Sequence, residues 1–170
     1  MDTLNAIMSR RSIRKFKDTP VTDKQIKKIL EAAMNAPSAG DGRPWHFAVI
    51  KDRQKLDAFA EKVDDGNEMF KQAQAAILLV GDPSKEGFPG FYPQDCACAG
   101  QNLQLATHEL GLGTVWIALW SVKPRIDGVR SVIDVPENLE PFALFPIGVP
   151  DENLDEEYRY DVAKVHYEKW

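Results

Sequence analysis

Five basic residues, Arg10, Arg11, Arg14, Lys15 and Lys17, fall within eight positions near the start of the chain. Together with Ser12 they suit a phosphate, because planar guanidinium forks match its oxygens and the hydroxyl adds a neutral donor. A helix exit favours basic residues through its dipole alone, so a solvated cluster is the competing reading of the same segment. The net charge of −5 over 170 residues argues against a general nucleic-acid binder, since a phosphate backbone attracts a broadly basic face. A small anion fits this charge distribution; a long polyanion does not.

Other chemistries find no support. There is no Gly-x-x-x-x-Gly-Lys-Ser/Thr loop, and Gly111-Leu112-Gly113 follows a helical pattern and precedes a strand pattern, the reverse of a dinucleotide fingerprint. His46, His108 and His166 are far apart and accompany no Ser or Cys nucleophile motif, so they read as structural and hydrolysis is not indicated. Cys96 and Cys98 lie two apart in a helical pattern, about 200° around its axis, and cannot easily bond each other. Zinc needs four ligands at a recognisable spacing, so both cysteines are expected to be small buried hydrophobes, with no metal bound.

The elements that must position these residues follow from periodicity. Leu4, Ile7 and Met8 give a short first helix ending at the arginines. Thr22 and Gln25 form a capping-box signature, with Val21 and Ile26 as a hydrophobic staple, for a second helix buried through Ile26, Ile29, Leu30 and Ala33. Residues from Asn35 through Pro37, Ser38, Gly40 and Gly42 then mark a loop. Strands are expected over Trp45 to Ile50 and Ala75 to Val80, the second fully buried, with a helix from about Leu56 to Val63 between them. From Asp95 to Leu110 a helix spreads apolar surface around much of its circumference and wants burial on more than one side. Thr114 to Trp120 reads as a strand, Val129 to Ile133 as a helical patch, and Phe142 to Val149 as a last strand. In that last strand Pro146 demands an edge position or a local irregularity. An acidic stretch, Asp151 to Glu157, precedes a tail whose Tyr158, Tyr160, Val165, Tyr167 and Trp170 are expected to dock on something.

With 44% hydrophobic and 28% charged residues and no internal repeat, the chain reads as one folded domain over 1–170. No apolar run approaches the roughly 20 residues of a membrane span, and Met1 to Arg11 lacks the apolar core of a secretory signal, so the cytoplasm is the expected location and no membrane the expected partner.

In order along the chain, these residues resemble FMN-dependent nitroreductases, in particular the short members of that family. Arg10-Arg11-Ser12-Ile13-Arg14-Lys15-Phe16 is similar to their phosphate-binding segment; Ala36-Pro37-Ser38-Ala39-Gly40 and Pro44-Trp45-His46-Phe47 are similar to their flavin-contacting loop and strand. The likeness continues through Gln94-Asp95-Cys96, Gln101-Asn102, Glu109 to Ile117, Pro141 to Leu144 and Gly148-Val149-Pro150, and closes with Arg159-Tyr160-Asp161 and Val165 to Trp170. The resemblance implies an α+β fold with a mainly antiparallel central sheet flanked by helices, assembled as an intertwined homodimer with FMN at each interface and residues 151–170 docking there. It implies that Arg10, Arg11, Ser12 and Arg14, joined by Arg159, meet the phosphate or ribityl chain. Pro37, Ser38 and Ala39 would approach from the other subunit, and Trp116, Ile117 and Ala118 would line the ring.

Two positions depart from that pattern: Asp41 stands where the family often has Asn, and Arg43 where Gln commonly precedes Pro-Trp. Ionised Asp41 can only accept a hydrogen bond. At the ring its charge would disfavour an anionic reduced flavin unless Arg43 compensates, so Asp41→Asn is expected to raise the flavin midpoint potential. The implied activity passes two electrons from NADH or NADPH through FMN to a small-molecule acceptor such as a nitroaromatic or quinone, by ping-pong turnover and with no catalytic side chain assigned. Dehalogenation or another flavin-linked reaction, and a flavin-binding redox sensor, are the alternatives that the sequence leaves open.

Overall fold

The computed structural model describes residues 2–63 and 68–170. Helix α1 (Thr3–Ser9) leads into a two-residue strand β1 (Phe16–Lys17), followed by α2 (Asp23–Met34), β2 (Trp45–Ile50), α3 (Arg53–Lys62), α4 (Met69–Gln72) and β3 (Ala75–Gly81). The long α5 (Tyr92–Glu109), short strands β4 (Gly113–Thr114) and β5 (Ile117–Ala118), α6 (Lys123–Val132) and β6 (Glu140–Pro150) complete the domain.

One antiparallel sheet organises the chain in the order β1-β6-β3-β2, with β4 and β5 also pairing β6. The uninterrupted apolar run of β3 has a direct structural cause: alternate residues feed different cores. Ala75, Ile77 and Leu79 pack with Ile26, Ile29 and Ala33 of α2 and Cys96, Ala99 and Leu103 of α5. Ala76, Leu78 and Val80 pack with Leu56 and Phe59 of α3, Phe70 of α4 and Val129 of α6 on the opposite face. This is the expected α+β arrangement, a central sheet between two layers of helices. The capping box at Thr22 and Gln25 is formed, and Val21 and Ile26 share one apolar cluster.

Several expectations need correction. The strand read over Thr114 to Trp120 is two short pieces, interrupted at Val115 and Trp116 because the Trp116 ring turns to pack edge-on against Phe142 and Phe145. The helical patch near Val129 extends back to Lys123, and α5 begins at Tyr92 rather than Asp95. Strand β6 is central, so of the two alternatives for Pro146 the edge is excluded and the local irregularity holds. Ile147 accepts from the Gln74 amide on the β3 side. Successive residues face opposite neighbours, so the Pro146 nitrogen faces the gap between β4 and β5, where the missing N–H breaks no ladder. Cys96 is buried as expected, and burial, aided by Asp95, pushes its thiol up to about 12; Cys98, however, is exposed. Helix α1 forms as expected; in the single chain Ala6 alone of it is buried, while Leu4, Ile7 and Met8 are exposed, as are the tail rings of Tyr158, Tyr160, Tyr167 and Trp170. Among the described residues no helix is long and apolar enough to cross a membrane.

Candidate functional site

Two regions carry most of the predicted site residues, one reaching α5 at Gln101 and the other tied to its first turn at Asp95. The first begins where α1 stops: Arg10 is its C-cap, and the chain then runs extended, with the Ile13 amide donating to the Thr114 carbonyl at 3.0 Å. Glu152, just past β6, accepts from the amides of Arg14 and Lys15 at 2.6 and 3.1 Å and ties the start of the tail to this segment. The tail then returns across the arginines. Arg11 donates to the Asp155 carbonyl and lies 3.6 Å from the Glu157 carboxylate, which accepts from Arg159 Nη2 and Nε at 2.8 and 3.1 Å.

Arg10 is half-buried beside them, and its pKa is lowered first by burial and then by the positive charges of Arg159 and Arg11. Arg10, Arg11 and Arg159 line one cavity of about 330 Å³ with Ile7, Met8 and Gln101. Three guanidinium groups therefore face a single carboxylate, Glu157, whose own pKa is lowered chiefly by the Arg159 hydrogen bond. This local excess of positive charge gives the cavity the chemistry to attract an anionic oxygen group. Arg14 does not line the cavity; its guanidinium donates to the Ser12 carbonyl at 3.4 Å. Ser12 is half-buried on the same segment. Next to Arg10, His108 Nε2 lies 2.8 Å from Ser9 Oγ, and its pKa is lowered by burial and then by the Arg10 charge.

The second region is the loop after α2. Pro37 is exposed, Ser38 and Ala39 are half-buried, and a single 3-10 turn, Ala39–Asp41, follows. Gly40, Asp41 and Arg43 all have positive φ, at 58°, 55° and 48°. For Asp41 and Arg43 this conformation is costly, because a Cβ crowds the backbone. The two side chains pair bidentately, Arg43 Nε to Asp41 Oδ1 at 2.7 Å and Nη2 to Oδ2 at 2.8 Å, and that hydrogen bonding lowers the Asp41 pKa. The Arg43 amide donates to Ser38 Oγ at 3.0 Å, and the Ala39 amide to Asp95 Oδ1 at 2.9 Å. Backbone meets backbone on the far side: a Cβ on Gly42 would lie 2.5 Å from the Lys85 carbonyl oxygen, and one on Gly87 would lie 2.0 Å from that of Ala39. Glycine at both positions is what allows the approach.

The third predicted group is divided. Trp116 sits beneath Gly100 of α5, where a Cβ would fall 2.4 Å from its ring, and Ile117 is buried in the core, while Ala118 is exposed. The side chains of Trp116 and Ile117 are thus committed to packing. The structure gathers Arg10, Arg11 and Arg159 and separates them from Pro37, Ser38, Ala39 and Asp41. Ala39 is tied to Asp95 near one end of α5 and Ser9 to His108 near the other, thirteen residues and so about 20 Å apart along the helix. Asp95, Gln101 and Glu157 were not among the predicted site residues. For Glu157 the signal was an acidic residue two positions from Arg159; for Asp95 it was a charge amid Cys96, Ala99 and Leu103.

An antiparallel sheet with helices on both faces is an architecture shared with solved nitroreductases. An FMN-dependent nitroreductase of Clostridium difficile superposes with a TM-score of 0.90 at 31% identity, covering 99% of this chain and 100% of that one. A provisionally named nitroreductase of Desulfovibrio desulfuricans, solved in complex with FMN, superposes at 0.85 with 29% identity over 100% of this chain and 99% of its own. A protein of Methanothermobacter thermautotrophicus provisionally named NADH dehydrogenase/NAD(P)H nitroreductase is 45% identical over all of this chain and 88% of its own length. The profile of the nitroreductase family matches residues 7–68 and 61–149. The chain belongs to the nitroreductase family.

Proposed function

We propose that the protein is an NAD(P)H-dependent flavin oxidoreductase that holds FMN between two copies of the chain. The observation that carries this reading is the convergence of Arg10, Arg11 and Arg159, from both ends of the sequence, on one cavity already containing a carboxylate. The phosphate of FMN supplies more negative charge than Glu157, about −1.5 to −2 against −1, and three terminal oxygens to share among three guanidinium groups. Relatives named for FMN and for NAD(P)H support the assignment of both.

A second copy is needed for two reasons. The arginine cavity reaches α5 at Gln101 while the Pro37–Ala39 loop is tied to its first turn at Asp95, so the two groups line different places in one chain, and a partner that supplies its own loop brings both kinds of contact to one ring. The exposed apolar residues Leu4, Ile7 and Met8 and the tail rings then acquire a surface to cover. In this arrangement Arg10, Arg11 and Arg159, with Ser12 and Arg14 on the same segment, bind the phosphate end. Pro37, Ser38, Ala39 and Asp41 of the partner subunit hold the ring, and Ala118 and the backbone beside Trp116 and Ile117 border it.

When bound, the flavin supplies hydride and electron transfer, so the chain needs no nucleophile. Its residues bind, orient and set the local field: the cavity neutralises the phosphate, and the Asp41–Arg43 pair presents the loop with little net charge. One open face shared by the nicotinamide donor and an acceptor such as a nitroaromatic or quinone requires ping-pong kinetics. The deciding measurement is the absorbance spectrum of purified protein with chromatographic identification of the released chromophore. Folded protein that stays colourless and takes up no added FMN defeats the reading; intersecting double-reciprocal lines defeat the ping-pong order.

A further inference from the structure

We infer that Asp95 is the positioning residue of the 37–43 loop: its buried carboxylate holds the Ala39 amide and fixes a strained segment in the form that meets the flavin ring. The inference rests on the FMN reading and deepens it. Within the loop, the Arg43–Asp41 pair and the Arg43 amide bond to Ser38 Oγ move with the loop and cannot fix it to the rest of the fold. At its exit the Pro44 carbonyl accepts from the Asp82 amide at 2.7 Å. At its centre the tie is Asp95 Oδ1, 2.9 Å from the Ala39 nitrogen and projecting from the first turn of α5.

Asp95 is 4% exposed, and its second oxygen, Oδ2, is buried with no hydrogen-bond partner among the described residues. A buried carboxylate using half of its accepting capacity is costly, and the positive end of the α5 dipole offsets only part of that. The side-chain hydrogen bond it does make goes to the loop. Residues 41 and 43 sit in a conformation that L side chains rarely adopt, so a loop released from Asp95 relaxes away from it. Because the loop belongs to the ring end of the site, its release costs binding of any flavin, phosphorylated or not.

The test titrates wild type, Asp95→Ala, Asp95→Asn and Ala39→Pro, each as apoprotein, with FMN and with riboflavin, following quenching of flavin fluorescence. Ala39→Pro deletes the donor while leaving the carboxylate and helix untouched. It is tolerated locally because residue 39 opens a helical turn and Ser38, at φ −141° and ψ 150°, already has the extended form required before proline. Asp95→Ala and Ala39→Pro should weaken FMN and riboflavin by the same factor, about tenfold or more, as expected for loss of a charge-assisted hydrogen bond. Asp95→Asn keeps an acceptor for Ala39 and should restore most of the affinity. Wild-type affinity in Ala39→Pro, or a loss confined to FMN, overturns the role of Asp95. A wild type that binds neither flavin overturns the FMN reading itself.

Discussion

The arginine cavity and the 37–43 loop are built by opposite means. At the arginine cavity, long side chains from residues 10, 11 and 159 meet, with Arg11 and Arg159 on the exposed carboxylate of Glu157 and Arg11 also on a carbonyl of the tail. At the loop end the contacts are short and between backbones: Gly87 against Ala39, Gly42 against Lys85, and one buried carboxylate on an amide. The first is adaptable and electrostatic; the second is shaped by steric exclusion. On the proposed function, charge would set how strongly a phosphate is held, while backbone geometry would set where a ring can lie.

That contrast predicts which substitutions separate FMN from riboflavin, which lacks the phosphate. The largest effect is expected from Arg10→Ala, which should weaken FMN about ten- to a hundredfold by losing a charge-assisted contact while leaving riboflavin nearly unchanged. Equal losses for both flavins would erase the proposed division. Gly87→Ala should act on both, because its Cβ would fall 2.0 Å from the Ala39 carbonyl oxygen and force the loops apart. A cost of about 1–3 kcal/mol is expected, read as a lowered melting temperature together with matched losses of FMN and riboflavin.

A smaller effect separates the ends by pH. His108 beside Arg10 is held below its ordinary value of 6.5 by burial, so just below 6.5 the unfolded chain takes up a proton that the folded chain refuses. Its contribution is intact above 6.5 and is lost as pH falls from there toward the lower folded value. His108→Gln should flatten that part of the melting-temperature profile, and an unchanged profile would place the sensitivity elsewhere. Glu157→Gln removes the carboxylate that occupies the arginines and should tighten FMN about two- to fivefold without affecting riboflavin, in keeping with a solvent-exposed pair. Smallest is Asp41→Asn. It should still raise the flavin midpoint potential, but Arg43→Gln should lower it and the double variant should fall near wild type, since the two charges are paired at 2.7 Å.

Much of this molecule is legible from residue order. Thr22 and Gln25 define a helix start because capping depends on neighbours three positions apart, and the apolar run of β3 announces burial on both faces whatever covers them. The arginine cluster announces a concentration of positive charge because guanidinium chemistry travels with the residue type. Less legible was the path of Val115 and Trp116, which a strand pattern describes locally but which the Trp116 ring overrides by packing against Phe142 and Phe145. The exposed face of α1 shows the same limit, since a 3.6-residue period specifies that a stripe seeks a partner and not whether that partner is in the same chain.

Sequence alone determined the short-range physics: caps, periodicities, the basic segment and the likeness to the nitroreductase family. Tertiary structure decided which of those residues meet. It joined Arg159 to Arg10 and Arg11 across the length of the chain, set the Pro37–Asp41 loop against the first turn of α5, paired Asp41 with Arg43, and placed Asp95 against Ala39. These are long-range or strained contacts, fixed by how the helices pack on the sheet, and no local pattern of residue types encodes the distances between them.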